Sequence, residues 1–266
     1  MEAEQEQRVA RKIFDAHSKR QNFQPLRGLD APGSLDSAYR IQDKVHHLFE
    51  TEGGVGPMGG HKIALTSRAV QELCGVDQPA YGGIVAKTIQ RSPASVKLSD
   101  FLHLGLEFEV AVEVDRDVPA STTAYDRDSI AGYVAACMTA FELIEDRNAD
   151  YSDLDAASIL TDRCWCGGVV LGEPVTDWRD LDLTNAVGEL SWNGETIDRG
   201  VTGDALGHPL EGLAWIANHL IGRGQILRRG DIVITGSALK TRFPQIGDEV
   251  LYSVEGLGDI AVSFEA

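Results

Sequence analysis

Along Leu102–Asp115 (LHLGLEFEVAVEVD) an apolar side chain occupies every even position, from Leu102 and Leu104 through Phe108 to Val114. A period of two belongs to a β-strand with one face in a core. The odd positions place His103, Gly105, Glu107, Glu109, Ala111 and Glu113 on the opposite face. Residues two apart in a strand stand about 6.6 Å apart, so Glu107 and Glu109 point the same way, within reach of one ion. Like charges side by side repel on an ordinary solvated strand. Two adjacent acids therefore point to a cation that offsets them.

The chain has 266 residues, 43% of them hydrophobic, enough for one large globular domain and too many for a disordered class. No stretch approaches the ~20 apolar residues of a membrane span, and the first twenty residues are charged throughout, unlike a secretory signal. Four cysteines (Cys74, Cys137, Cys164, Cys166) without an export signal point to reduced thiols in a cytoplasm. A formal charge of −17 repels phosphate backbones and argues against nucleic acid as a partner. A small carboxylic acid would need local positive charge, from a metal or a buried Lys or Arg.

Residues 4–18 and about 35–51 read as helices, the second with Ala38, Ile41, Val45, Leu48 and Phe49 on one stripe and Ser34 or Asp36 as its cap. After the glycine-dense breaker 51–60, His61–Leu65 reads as a short strand and Ser67–Cys74 as a helical turn or two. Residues 128–138 look like a helix feeding a buried strand, Thr139–Glu145. Asn193-Gly194 marks a hairpin, Pro209 opens a helix through Leu220, and the C-terminal end alternates three strands with glycine turns. The pattern predicts an α+β fold: an N-terminal helical and lysine-bearing segment (1–80) packed on a mostly antiparallel β domain (81–266), together one structural unit.

Glu142 lies inside the apolar run MTAFELIEDR, where a lone carboxylate costs several kcal/mol unless paired or bound to a cation. With Glu107 and Glu109 it makes a three-carboxylate set, an oxygen-only donor group that suits Mg²⁺ or Mn²⁺ rather than zinc. The other arrangement open to these residues leaves Glu107 and Glu109 on a wet face and pairs Glu142 with Arg147. Lys62, just before an apolar strand, could bind a substrate carboxylate or shuttle protons, or simply begin a strand at the surface. Cys164-Trp165-Cys166 lacks the second pair of a zinc tetrad. His47 and Glu50 are the only candidate His/Glu dyad, and Ser237 lacks the surroundings of a nucleophile elbow.

Six blocks in order, from about residue 34 to the end, resemble the 2-keto-4-pentenoate hydratase and 4-oxalocrotonate decarboxylase group of the fumarylacetoacetate hydrolase superfamily. They are HKIALTSRAVQELCGVDQPAYG, EFEVAV, AFELIEDRNADY, LGHPLEGLAWIANHL, DIVITGS and VEGLGDIAVSF. The resemblance implies a mixed β-barrel or roll, a divalent cation on Glu107, Glu109 and Glu142, Lys62 as the active-site lysine, and a homo-oligomer. It also implies substrate contacts from Ser237, Arg163 and Tyr81. Two departures stand out. Ala80 follows Pro79 where hydratases commonly carry an acid. Arg163 stands where the group has Asn, a residue suited to a second substrate carboxylate or a larger tail.

The activity implied is a metal-dependent lyase that hydrates a 2-hydroxypenta-2,4-dienoate-type acid to a 4-hydroxy-2-oxo acid. Decarboxylation of 4-oxalocrotonate-type acids, C–C hydrolysis of acylpyruvates, and a catalytically silent binding role are the alternatives.

Overall fold

The protein, a computed structural model, is described over residues 2–266. Two helices come first, α1 (Ala3–Ser18) and α2 (Leu35–Thr51), close to the predicted spans. Val9, Ala10, Ile13 and Phe14 of α1 close on Ile41, Val45 and Leu48 of α2 as a small core of their own. Ser34 caps α2, its hydroxyl accepting from the Ser37 amide at 3.1 Å. Buried polar contacts fasten the pair to the body. Gln42 Nε2 donates to the carbonyl oxygens of Tyr81 and Leu160, while His17 and Arg147 both close on the Asp162 carboxylate. Burial opposes that charge, yet the two partners hold the Asp162 carboxyl below its ordinary pKa. Arg147 is therefore committed to Asp162 and does not pair with Glu142.

The body follows as β1 (Met58–Ala64), α3 (Arg68–Leu73), β2 (Ala80–Val85), β3 (Ile89–Arg91), β4 (Ala94–Lys97), β5 (Leu104–Val114), α4 (Arg127–Ile130), β6 (Val134–Glu145), α5 (Ala156–Thr161) and β7 (Cys166–Leu171). Then come β8 (Val187–Trp192), β9 (Glu195–Val201), α6 (Pro209–Gly222), β10 (Ile232–Ser237), β11 (Glu249–Val254) and β12 (Gly258–Glu265). Seven strands form one sheet in the order β2-β1-β10-β5-β6-β7-β3, and five form a second, β4-β12-β11-β8-β9. Pairing is mostly antiparallel; β1 with β10, β3 with β7 and β4 with β12 are parallel. The hairpin at Asn193-Gly194 is present, both residues at positive φ as a tight two-residue turn demands.

The large sheet curls. Its edge strand β2 packs beside β7, although no hydrogen-bonded ladder joins them. Among the described residues the sheet does not close into a barrel; of the expected barrel or roll it is the roll, with an inner and an outer face. Leu104, Leu106, Phe108, Val110, Val112 and Val114 of β5 enter the main core on the outer face, as the alternation predicts. The other face is not solvated. There Ala111 joins Met138, Ala140, Val169, Ile232 and Ile234 in a second core inside the curl, and Glu109 is 1% exposed. Alternation in a single strand reports two different faces; it does not say that the more polar one is wet.

A second departure concerns residues 128–138. Helix α4 stops at Ile130 and strand begins at Val134, because Ala136, Cys137 and Met138 are drawn into register with Glu113, Val112 and Ala111. The long partner strand overrides the local preference for helix.

The curl needs close backbone approach between β2 and the turn before β7. A methyl group on Gly82 would lie 2.0 Å from the Arg163 carbonyl oxygen. Gly82→Ala should therefore destabilise the protein by at least ~3 kcal/mol, at the upper end of overpacking costs. A urea-melt midpoint equal to wild type would show that this contact is loose.

Candidate active site

The inner face is apolar at one end and acidic at the other. Glu107 and Glu109 project inward from β5, and Glu142 projects inward from β6 directly opposite Glu107. Carboxylate oxygens of the three lie within 4.8 Å of one another. Lys62 on β1 completes the group, its Nζ 3.1 Å from Glu142 Oε2 in a hydrogen bond and 2.9 Å from Oε1 outside hydrogen-bonding geometry. Strands β1 and β6 are three strand spacings apart, about 14 Å in a flat sheet. Only the curl brings these two side chains together.

Each acid has its own support. Glu109 Oε2 accepts from the Gly236 amide at 2.6 Å. The β10–β5 register breaks between Ile234 and Ser237, and Gly236 sits at φ 111°, which frees its N–H from the ladder and aims it at the carboxylate. Glu107 Oε1 accepts from Thr241 Oγ1 at 2.5 Å. Yet Glu109 Oε1 is buried with no hydrogen-bond partner among the described residues. Burial, with Glu142 and Glu107 nearby, raises the Glu109 carboxyl well above its ordinary pKa. Burial also lifts Glu142 to about 7, despite the opposing pull of Lys62, with Glu107 adding to the rise. Lys62 moves upward as well: burial disfavours its ammonium, but Glu142 and Glu107 outweigh that.

When ionised, three carboxylates against one ammonium carry an excess of two negative charges, on side chains of which Glu109 and Glu142 are buried and Glu107 partly so. One divalent cation neutralises that excess, and the orphaned oxygen of Glu109 supplies a ready acceptor. The donor set, all oxygen, fits a hard divalent ion. Glu107, Glu109 and Glu142 would hold it.

Above the acids opens a cavity of about 510 Å³, with Lys62 and Glu107 among its lining residues. Leu65, Val70, Leu73, Leu154, Ile159 and Leu239 give it apolar walls. Ser237 lines it, but the hydroxyl accepts from the Phe108 amide at 2.9 Å and donates to the Leu239 carbonyl at 2.8 Å. That hydroxyl fixes the loop after β10. The Tyr81 ring lies elsewhere, stacked on Tyr39 and against His219. Arg163 does not line the cavity either; its guanidinium lies over Phe49. Three successive residues in the left-handed region, Arg163, Cys164 and Trp165 (φ 53°, 49° and 62°), turn Cys164 and Trp165 to this cavity and Arg163 away. Burial raises the Cys164 and Cys166 thiols to about 12, so they are inert, in keeping with a structural role. His47 and Glu50 are exposed on α2 and do not line the cavity, and the buried Ala80 does not line it.

Sequence reasoning missed Tyr151, Lys240, Thr241 and Asp204, which line the cavity. Tyr151 Oη donates to Asp146 Oδ2 at 2.9 Å, and the same carboxylate meets His103 Nδ1 at 2.9 Å. All but Asp204 lie in loops that follow the strands bearing the site, which is the one signal available beforehand.

Residues 78–265 match the fumarylacetoacetate (FAA) hydrolase C-terminal family. The chain belongs to the fumarylacetoacetate hydrolase family. Within it, the sequence is 31% identical to a 2-keto-4-pentenoate hydratase of Paraburkholderia phymatum over 96% of each chain. It is 27% identical to a 2-hydroxyhexa-2,4-dienoate hydratase of Comamonas testosteroni over 95% of each. In fold it is similar to a 4-oxalocrotonate decarboxylase of Pseudomonas putida G7 solved with magnesium and adipate. That likeness has a TM-score of 0.90 at 23% identity, covering 99% of this chain and 98% of the other. No helix among the described residues of this family member is long and apolar enough to cross a membrane.

Proposed function

We propose that this family member is a hydro-lyase that uses Mg²⁺ or Mn²⁺ to hydrate a small 2-hydroxy-2,4-dienoic acid to a 4-hydroxy-2-oxo acid. The observation that carries this reading is the cluster of three carboxylates around one lysine at the floor of a largely apolar cavity. The likeness in sequence to hydratases of such acids supports it further. When bound, a divalent cation supplies Lewis-acid stabilisation to the oxygens of a 2-oxo acid as negative charge builds on them.

The chain's own residues do the rest. Lys62, fixed by Glu142, presents an ammonium to the anionic end of the substrate. Lys240 adds positive charge to the cavity lining, set against the −17 of the whole chain. The apolar walls cover the diene. Water must add its hydroxyl at C4 and its proton at C3, and the proton lost from the 2-hydroxyl must be matched by one delivered to C5. Tyr151, held by Asp146 and through it coupled to His103, whose side chain is 41% exposed, offers a path for that proton from solvent. The four buried, unpaired thiols support a reducing, cytoplasmic setting. Val187, Ile197 and Leu251, each over 40% exposed on the second sheet, support assembly into a homo-oligomer.

Decarboxylation is the second reading, favoured by Ala80, because loss of CO₂ needs no acid to handle water. Incubating the protein with Mg²⁺ and a panel of 2-hydroxydienoates, 4-oxalocrotonate and acylpyruvates separates the readings by product mass. A gain of 18 Da on a dienoate is expected; loss of CO₂ alone or C–C cleavage alone would overturn the hydratase assignment. In the same assay Tyr151→Phe should slow turnover about tenfold or more, and an unchanged rate would remove the relay.

A further inference from the structure

The turn Arg163–Trp165 separates two cavities. Arg163 lines the second, a space of about 500 Å³ bordered by β3, β4 and the facing ends of β6 and β7. Arg163 is 8% exposed, and its guanidinium carbon stands 4.5 Å from the centre of the Phe49 ring. Its Nε is buried without an acceptor, and the guanidinium makes no ion pair or hydrogen bond with any described residue. The other buried arginine, Arg147, also has an unpartnered Nε, but its two terminal nitrogens meet Asp162 and the Gln21 carbonyl. The neighbouring Asp162 is taken up by His17 and Arg147, and a buried cation with no hydrogen-bonded counter-charge of its own favours an anion.

Phe49 covers one face of the guanidinium and leaves the edge for a ligand. That planar fork matches a carboxylate or a phosphate through two parallel hydrogen bonds. Lys87 and Lys97 line the same cavity, with the hydroxyls of Thr88 and Ser95. Two acids also line it. Glu145 already accepts from the amides of Leu102, His103 and Arg147, and Asp100 is exposed. We propose that this cavity is a binding site for a small oxyanion, a carboxylate or a phosphate, seated on Arg163 and distinct from the catalytic cavity.

Calorimetric titration of chelator-treated protein with inorganic phosphate, and separately with succinate, tests the site and tells the two sources apart. Saturable binding of either is expected at about one per chain. Arg163→Met should weaken it about tenfold or more, as loss of a charge-assisted bidentate contact implies. Lys97→Ala, at an exposed rim position that leaves the buried packing intact, should weaken it several-fold. Glu107→Gln should leave it unchanged, which separates this site from the catalytic one. Phosphate alone points to a phosphorylated ligand, succinate alone to a carboxylic acid, and both support the proposal. No saturable binding of either, or equal binding by wild type and both variants, overturns it. A smaller assembly for Arg163→Met in light scattering, with no anion bound by wild type, would give the guanidinium to a neighbouring copy and overturn it too.

Discussion

Glu107→Gln should lower kcat/KM by about 10²-fold or more on whichever 2-oxo acid the enzyme turns over. The substitution keeps the shape of the side chain and leaves an oxygen to accept from Thr241 Oγ1. What it removes is one of three negative charges, the one among them that lines the cavity. Because Glu107 stands directly across from Glu142, its charge also repels a neighbour in the metal-free protein. Stability without metal should therefore hold or rise slightly while activity falls. That opposition distinguishes a lost ligand from a damaged fold. Steady-state kinetics beside a thermal melt reads both, and near-wild-type turnover would remove Glu107 from the ligand set.

Lys62→Met should destabilise the metal-free protein by about 3 kcal/mol, the cost of leaving a buried partner charge uncompensated. Lys62 and Glu142 are 4% and 0% exposed, so water cannot replace the lost ammonium. The surrounding acids make matters worse, since Glu109 and Glu107 then face Glu142 with no positive charge close by. Saturating Mg²⁺ should restore much of the loss, because a divalent ion offsets the same charges. Urea melts with and without Mg²⁺ would show this as a wider metal-induced shift in the variant than in wild type. Equal midpoints for variant and wild type without metal would mean that the pair contributes little to folding. An equal metal-induced shift in both would mean that Lys62 and the ion do not share the same acids.

Much of this site was legible one strand at a time. The Glu107/Glu109 pair follows from alternation within β5, and the suspicion about Glu142 follows from an acid within an apolar run. The helices α1, α2 and α6 were legible from 3.6-residue stripes and from Ser34 and Pro209 at their starts. What one strand cannot show is how its sheet bends. The meeting of Lys62 with Glu142 depends on three strand spacings folded into a roll, and so does the burial of the strand face that reads as polar. The short strands β3 and β4 carry too few residues to show any period. Arg163 was marked as a residue for a second substrate carboxylate, but three left-handed residues turn it to the far side of the wall. Tyr81 likewise lies in the block that resembles the family, yet its ring belongs to an aromatic cluster with Tyr39 and His219. Backbone handedness over three residues and ring packing between distant segments leave no periodic trace in a sequence.

The most direct measurement is a calorimetric titration of Mg²⁺, and in parallel Mn²⁺, into chelator-treated wild type and into Glu109→Gln. One saturable site per chain in wild type, weakened at least tenfold by a change to the acid with the orphaned oxygen, is the expected result. Absence of saturable binding in wild type, or equal affinity in the two proteins, would contradict a metal centre on these three carboxylates.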